Sequence, residues 1–160
     1  MPTIALGAIA VGLCAVVSLA AIDLQRQILP TSLNALLGLA GITFHWSSGW
    51  AFASAQELLS GAALGAGLLL SLRYLYLVLR GIEALGLGDV KLMGAAGLWV
   101  GAANVPLLLA IAAIGTLLTI LILYPFAANS ESLRTRSFPF GPGLCVALVI
   151  VSADVTGWLP

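Results

Sequence analysis

The stretch GIEALGLGDVKLMGAAGLWVG, from Gly81 to Gly101, places a carboxylate directly before an apolar run. Asp89 follows a glycine, and Lys91 stands two positions further on. A charged side chain in or beside a membrane segment is costly, and a functional role is the default explanation for it. The position of Asp89 therefore indicates a functional role for this acid in a membrane-type sequence.

The composition is that of a membrane protein. Of 160 residues, 61% are hydrophobic and 8% are charged, and the mean hydropathy is +1.15. Soluble domains carry roughly 25% charged residues. We predict one polytopic transmembrane domain over residues 1–160, and the formal net charge of zero indicates no nucleic-acid partner. Cys14 and Cys145 lie in apolar runs without a CxxC pair, so we expect apolar packing residues and no metal or cofactor.

Six apolar segments predict an all-α bundle of about six transmembrane helices. The segments are Thr3 to Ile22, Leu33 to about Trp46, Leu58 to Leu79, Leu92 to Ala103, Pro106 to Tyr124 and Phe140 to Trp158. Two of them are shorter than the roughly 17–25 residues that a span needs. Asn104 and Pro106 favour a break between the fourth and fifth, because proline fits a helix start and interrupts a helix interior.

With six alternating spans, every basic residue falls on one side of the membrane. These residues are Arg26, Arg73, Arg80, Lys91, Arg134 and Arg136. The positive-inside rule makes that side cytoplasmic, so both termini and the loop from His45 to Glu57 are predicted to face outward. Arg73 lies somewhat deep, and we expect its long side chain to extend to the interface.

Two carboxylates share the cytoplasmic depth in this topology. Asp23 ends the first span and Asp89 begins the fourth, 66 positions later. Either could be an idle interfacial charge, but their equal depth favours a joint role. His45 is predicted to lie on the opposite side of the membrane as an interfacial or loop residue, which leaves a histidine-based triad unsupported.

Gly86 and Gly88 stand just before Asp89 and suggest an irregular backbone that another chain can approach closely. Irregular backbone at membrane depth is tolerated where it is buried or lines a wet cavity. A plain turn with Asp89 as the N-cap of a helix explains the four residues nearly as well.

Two neighbouring carboxyls cannot both ionise easily, so one keeps its proton while the other takes a proton from water. This is the chemistry of aspartyl peptide hydrolysis, which requires no metal. Two alternatives remain open: a small proton-coupled transporter or channel, because membrane acids also serve proton relays, and an inactive structural subunit of a pilus or secretion assembly.

Three segments resemble, in order, the type IV prepilin peptidases, which are GxGD intramembrane aspartyl peptidases. They are DLQRQILPTSLNALLGLAG (Asp23 to Gly41), GLGDVKLMGAAGLWVG (Gly86 to Gly101) and FPFGPGL (Phe138 to Leu144). The resemblance implies that Asp23 and Asp89 are the catalytic pair. It also implies a set of active-site motif residues, namely Pro30, Gly86, Gly88, Lys91, Pro139, Gly141 and Pro142.

The sequence departs from the long members of that family, which carry zinc-binding CxxC pairs in a methyltransferase segment. It resembles the short, Flp-type enzymes of tight-adherence pilus systems. The resemblance implies a bacterial inner-membrane endopeptidase that cleaves the basic leader of a prepilin-like membrane substrate at the cytoplasmic face, without N-methylation. Thr31 follows Pro30 where the family often has Asn, which puts a secondary contact in doubt.

Two further features bear on the substrate. A basic leader would meet a face rich in arginine, and Glu83 is the acid best placed to offset this, with Glu131 second. The small-xxx-small patterns at Gly61–Gly65 and Gly97–Gly101 favour packing between the protein's own helices over a substrate groove.

Overall fold

The computed structural model describes residues 2–81, 85–127 and 140–157, and within these ranges the chain is helical without a β-strand. In chain order the helices are α1 (Pro2–Arg26), α2 (Thr31–Ser47), α3 (Ala55–Arg80), α4 (Leu87–Val100), α5 (Val105–Ala127) and α6 (Gly141–Val155). A 3₁₀ turn, Ala102–Asn104, separates α4 from α5, which confirms the predicted break.

Three of the described helices are long and apolar enough to cross a bilayer. These spans are Thr3–Arg26, Ala55–Arg80 and Ala102–Leu121, with hydropathies of 2.5, 1.7 and 2.2. Helix α4 has 14 residues and is therefore about 21 Å long, less than the roughly 30 Å of a hydrocarbon core. The prediction of an all-helical membrane protein is confirmed, and the short helices lie beside the long ones.

Helix α4 is the centre of the bundle. It contacts α2, α3 and α6, while α1 packs on α2 and α6, and α5 packs on α6. Leu92, Met93 and Ala96 of α4 are fully buried. A helix surrounded in this way has no broad lipid-facing side, which explains why α4 is apolar beyond Lys91 although it is too short to span a membrane.

Glycines allow α3 to lie directly against α4. A Cβ on Gly61 would lie 2.7 Å from the Gly97 carbonyl oxygen, and one on Gly65 would lie 3.0 Å from the carbonyl oxygen of Met93. The predicted use of these glycines in packing between the protein's own helices is confirmed. Helix α4 then ends at Gly101, whose φ of +72° suits glycine.

The end of the bundle opposite the two acids is held by aromatic side chains. The indole Nε1 of Trp99 donates to the Leu37 carbonyl at 2.8 Å, and Phe44 stacks on the Trp99 ring at 5.7 Å. His45 is fully buried, and its Nε2 donates to the Trp99 carbonyl at 3.0 Å. His45 was expected to be an interfacial or loop residue, and the loop position is wrong: His45 lies on the face of α2 that packs on α4, where it joins two helices.

The predicted ends of the helices need two corrections. Helix α1 continues to Arg26, so Asp23 lies within its final turn. Helix α4 begins at Leu87 instead of Leu92, because Gly86 takes the N-cap position with φ −70° and ψ 141°. Asp89 is therefore inside the first turn of α4, and the alternative that made Asp89 the N-cap is wrong.

Candidate active site

The two acids lie where three helices converge. Asp23 comes from the end of α1, Asp89 from the start of α4, and Gly141 begins α6. The charge of Asp23 acts on Asp89, and both acids act on Cys145, which lies one turn after Gly141. The structure thus brings together the two carboxyls that the sequence predicts to share a depth.

The Asp23 carboxyl is enclosed. The residue is 5% exposed, and its Oδ2 has no hydrogen-bond partner among the described residues. The backbone N–H of Gly141 is the group that reaches this carboxyl from α6. A Cβ on Gly141 would lie 2.5 Å from Oδ2 of Asp23, so only glycine leaves the carboxyl its present place.

Asp89 is held at the start of its own helix and is more open than Asp23, with intermediate exposure. Its carboxyl is reached by the backbone N–H of Gly86, the N-cap residue of α4. A Cβ on Gly86 would lie 3.2 Å from Oδ2 of Asp89. An acid in the first turn of a helix also interacts favourably with the helix dipole.

The two glycines of the GxGD motif work through close approach and not through unusual backbone. Neither is among the positive-φ residues, and Gly88 lies in regular helix, so the expected irregular backbone is wrong. A Cβ on Gly88 would lie 2.8 Å from the Cβ of Leu29. The glycine therefore lets the connection between α1 and α2 lie against α4.

The other motif residues within the described ranges lie at or near the starts of α2, α4 and α6. Pro30 takes the N-cap position of α2, and Pro142 stands in the first turn of α6. The ammonium of Lys91 donates to the Thr31 hydroxyl at 2.9 Å, so threonine supplies a contact at the position where asparagine was expected. Pro139, Glu83 and Glu131 lie outside the described residues.

The sequence did not assign several residues of this region to the site. Leu29 packs on Gly88, the charges of both acids act on Cys145, and Arg73 donates to the backbone carbonyl of Leu85. Asn34 is 4% exposed, and its amide has no partner among the described residues. The four-residue spacing from Gly141 to Cys145 was the one available signal, because it places both on one helix face.

The two carboxyls can activate a water molecule by themselves, without side chains that bind a metal ion. No group of three or more His, Cys, Asp or Glu side chains within the described ranges could hold a metal ion. Two carboxyls, one enclosed and one more open, instead offer one proton acceptor and one proton donor to a bound water and a carbonyl.

The sequence matches a known family over most of its length. The profile described as "Type IV leader peptidase family" matches residues 10–123, which include Asp23 and Asp89. Three similar curated proteins are each named "Prepilin leader peptidase/N-methyltransferase". No solved structure matches the chain.

The similar proteins are all longer than this chain. The protein from Burkholderia pseudomallei is 40% identical over 107 residues, covering 66% of this chain and 34% of that protein. The Aeromonas hydrophila protein is 34% identical over 146 residues, covering 89% and 48%. The Escherichia coli protein is 31% identical over 147 residues, covering 90% and 61%. The chain thus spans about a third to three fifths of these relatives, and it belongs to the type IV leader peptidase family.

Proposed function

We propose that this chain is an aspartyl endopeptidase of the bacterial inner membrane that cleaves the leader peptide of Flp-like type IV prepilins. The observation that carries the proposal is the convergence of Asp23 and Asp89, which two helices bring close enough for the charge of Asp23 to act on the Asp89 carboxyl. The family match, and the prepilin peptidase names of its relatives, supply the reaction class.

The proposed chemistry uses the pair as one unit with one proton. The ionised carboxyl takes a proton from a water molecule, whose oxygen attacks the scissile carbonyl carbon, while the protonated carboxyl gives its proton to the carbonyl oxygen. Collapse of the tetrahedral intermediate breaks the C–N bond. The leaving amine receives a proton from the pair, which returns to its starting state with one water consumed.

The test is cleavage of a purified prepilin in detergent by the wild type, Asp23→Asn and Asp89→Asn. Each variant should lose at least about a thousandfold in kcat, because each acid is required in the reaction. Asp154→Asn is the matched control, since Asp154 is an exposed acid near the other end of the bundle, in α6. Wild-type activity in either catalytic variant, or equal loss in the control, would contradict the assignment.

The proposed active site faces the cytoplasm. Residues 1–160 form one domain that crosses the membrane six times, with both ends of this chain outside. Among the described basic residues, Arg26 and Lys91 lie within three positions of Asp23 and Asp89 on the same helices. Exposed Trp46, Trp50 and Phe52 lie at the other end of the bundle, as interfacial aromatic residues do. Single cysteines at Gln25 and Ala51, in a background without Cys14 and Cys145, should label from opposite sides of the membrane. Labelling from one side would overturn this topology.

A further inference from the structure

One peptide group joins a cation of α3 to the acid of α4. The guanidinium Nη1 of Arg73 donates to the carbonyl oxygen of Leu85. The N–H of the same peptide group belongs to Gly86, which lies against the Asp89 carboxyl: a Cβ on Gly86 would lie 3.2 Å from Oδ2 of Asp89, and the backbone N–H interacts with that carboxyl. Arg73 and the Asp89 carboxyl therefore lie on opposite sides of the Leu85–Gly86 peptide.

The path of the chain shows that this contact joins the segment before α4 to the body of α3. Helix α3 ends at Arg80, where Gly81 takes a left-handed conformation with φ +66°. Leu85 nevertheless contacts Arg73, seven residues and about 10 Å back along α3. The start of α4 is thus tied to the side chain of a residue about two turns before the end of α3.

The same contact also has an electrostatic consequence. A guanidinium is always charged, and a donor on a peptide oxygen strengthens the N–H on the other side of that peptide, because linked hydrogen bonds polarise one another. The contact is partly buried, so salt and water screen it less than a surface pair. A strengthened Gly86 N–H and weak screening both favour the orientation in which the Asp89 carboxyl faces that N–H.

We propose that Arg73 is a positioning residue for the peptidase reaction, which holds Asp89 in place through the Leu85–Gly86 peptide without touching the substrate. This inference rests on the proposed function, since it assigns Arg73 a part in the same reaction.

The test compares Arg73→Met, Arg73→Gln and Arg73→Lys with Arg80→Met. Arg80 is the matched control because it lies two turns further along α3 and is exposed. We expect Arg73→Met to lower kcat by roughly tenfold to a hundredfold with KM nearly unchanged, since small displacements of a reacting group cost this much. Arg73→Lys should recover most of the loss, Arg73→Gln part of it, and Arg80→Met should match the wild type.

Hydrogen exchange at the Gly86 amide gives a readout that does not depend on cleavage. Arg73→Met should accelerate this exchange, and Arg80→Met should not. If the wild type fails to cleave a prepilin while this exchange difference is found, the proposed function fails and the contact with Asp89 stands. An unchanged exchange rate in Arg73→Met, a rise in KM at constant kcat, or equal losses in the Met and Lys variants would overturn the inference.

Discussion

Asp23 and Asp89 reach the same place by different means. Asp23 belongs to a 25-residue helix and is enclosed by α6, whereas Asp89 belongs to the first turn of a 14-residue helix and is partly exposed. The first acid is positioned by helix packing, and the second by contacts of the segment that precedes its helix. Substitutions around Asp23 should therefore displace its carboxyl through contacts with α6. Substitutions around Asp89 should displace its carboxyl through the segment that precedes α4.

The largest effect is expected at Gly141, on the Asp23 side. A Cβ there meets Oδ2 of Asp23, the movable end of a short side chain, so Gly141→Ala should displace the carboxyl at little cost in stability. We predict a loss in kcat of about a hundredfold with a nearly unchanged melting temperature. Initial cleavage rates and melting curves in detergent check this.

Gly143 is the matched control on the same helix. A Cβ at this position would lie 2.9 Å from the backbone carbonyl of Ala112, so α5 itself must move. Gly143→Ala should therefore lower the melting temperature and leave the rate per folded molecule close to wild type. The reverse pattern, with Gly141→Ala unstable and Gly143→Ala inactive, would contradict the positioning of Asp23 by α6.

A smaller effect is expected at Gly88, on the Asp89 side. Ala at this position presses on the Cβ of Leu29, in a connection that can shift, and pushes it away from the first turn of α4. We predict that Gly88→Ala lowers kcat about tenfold, and that Gly86→Ala, whose Cβ meets only the end of the Asp89 carboxyl, lowers it about threefold. Full activity with a raised melting temperature in both variants would show that these glycines only begin a helix.

The smallest effect is expected at the contact between Lys91 and Thr31. Both residues are exposed, and solvent-exposed polar pairs contribute little. Lys91→Met and Thr31→Val should each lower kcat/KM less than about threefold, and the double variant should be no worse than either single one. Ser32→Ala is the control beside this contact, and a loss above tenfold in Lys91→Met would place Lys91 in the reaction itself.

The helices and the shared depth of the two acids were accessible from the sequence, because apolar length and charge position are local signals. The break before Val105 followed from Asn104 and Pro106, and the paired glycines indicated packing between the protein's own helices without naming the pair. These features need no knowledge of which helices are neighbours.

What the sequence did not predict depends on neighbours. A plain turn with Asp89 as N-cap was the alternative that the sequence left open, yet Gly86 takes that position and Asp89 lies three residues inside. His45 was expected at the interface or in a loop, yet it lies in α2, where its bond to the Trp99 carbonyl makes a buried position acceptable. The hydrogen bond from Arg73 to the Leu85 carbonyl joins residues twelve positions apart, and no local pattern indicated it.

The most direct test of the central claim, that Asp23 and Asp89 act as one unit, is the cleavage rate of the double variant Asp23→Asn/Asp89→Asn beside both single variants. Residues that act together show effects far from additive. Our account predicts that the double variant retains the same residual rate as each single variant, with all three proteins folded. A double variant whose loss equals the product of the two single losses would contradict the account, because the two carboxyls would then act independently.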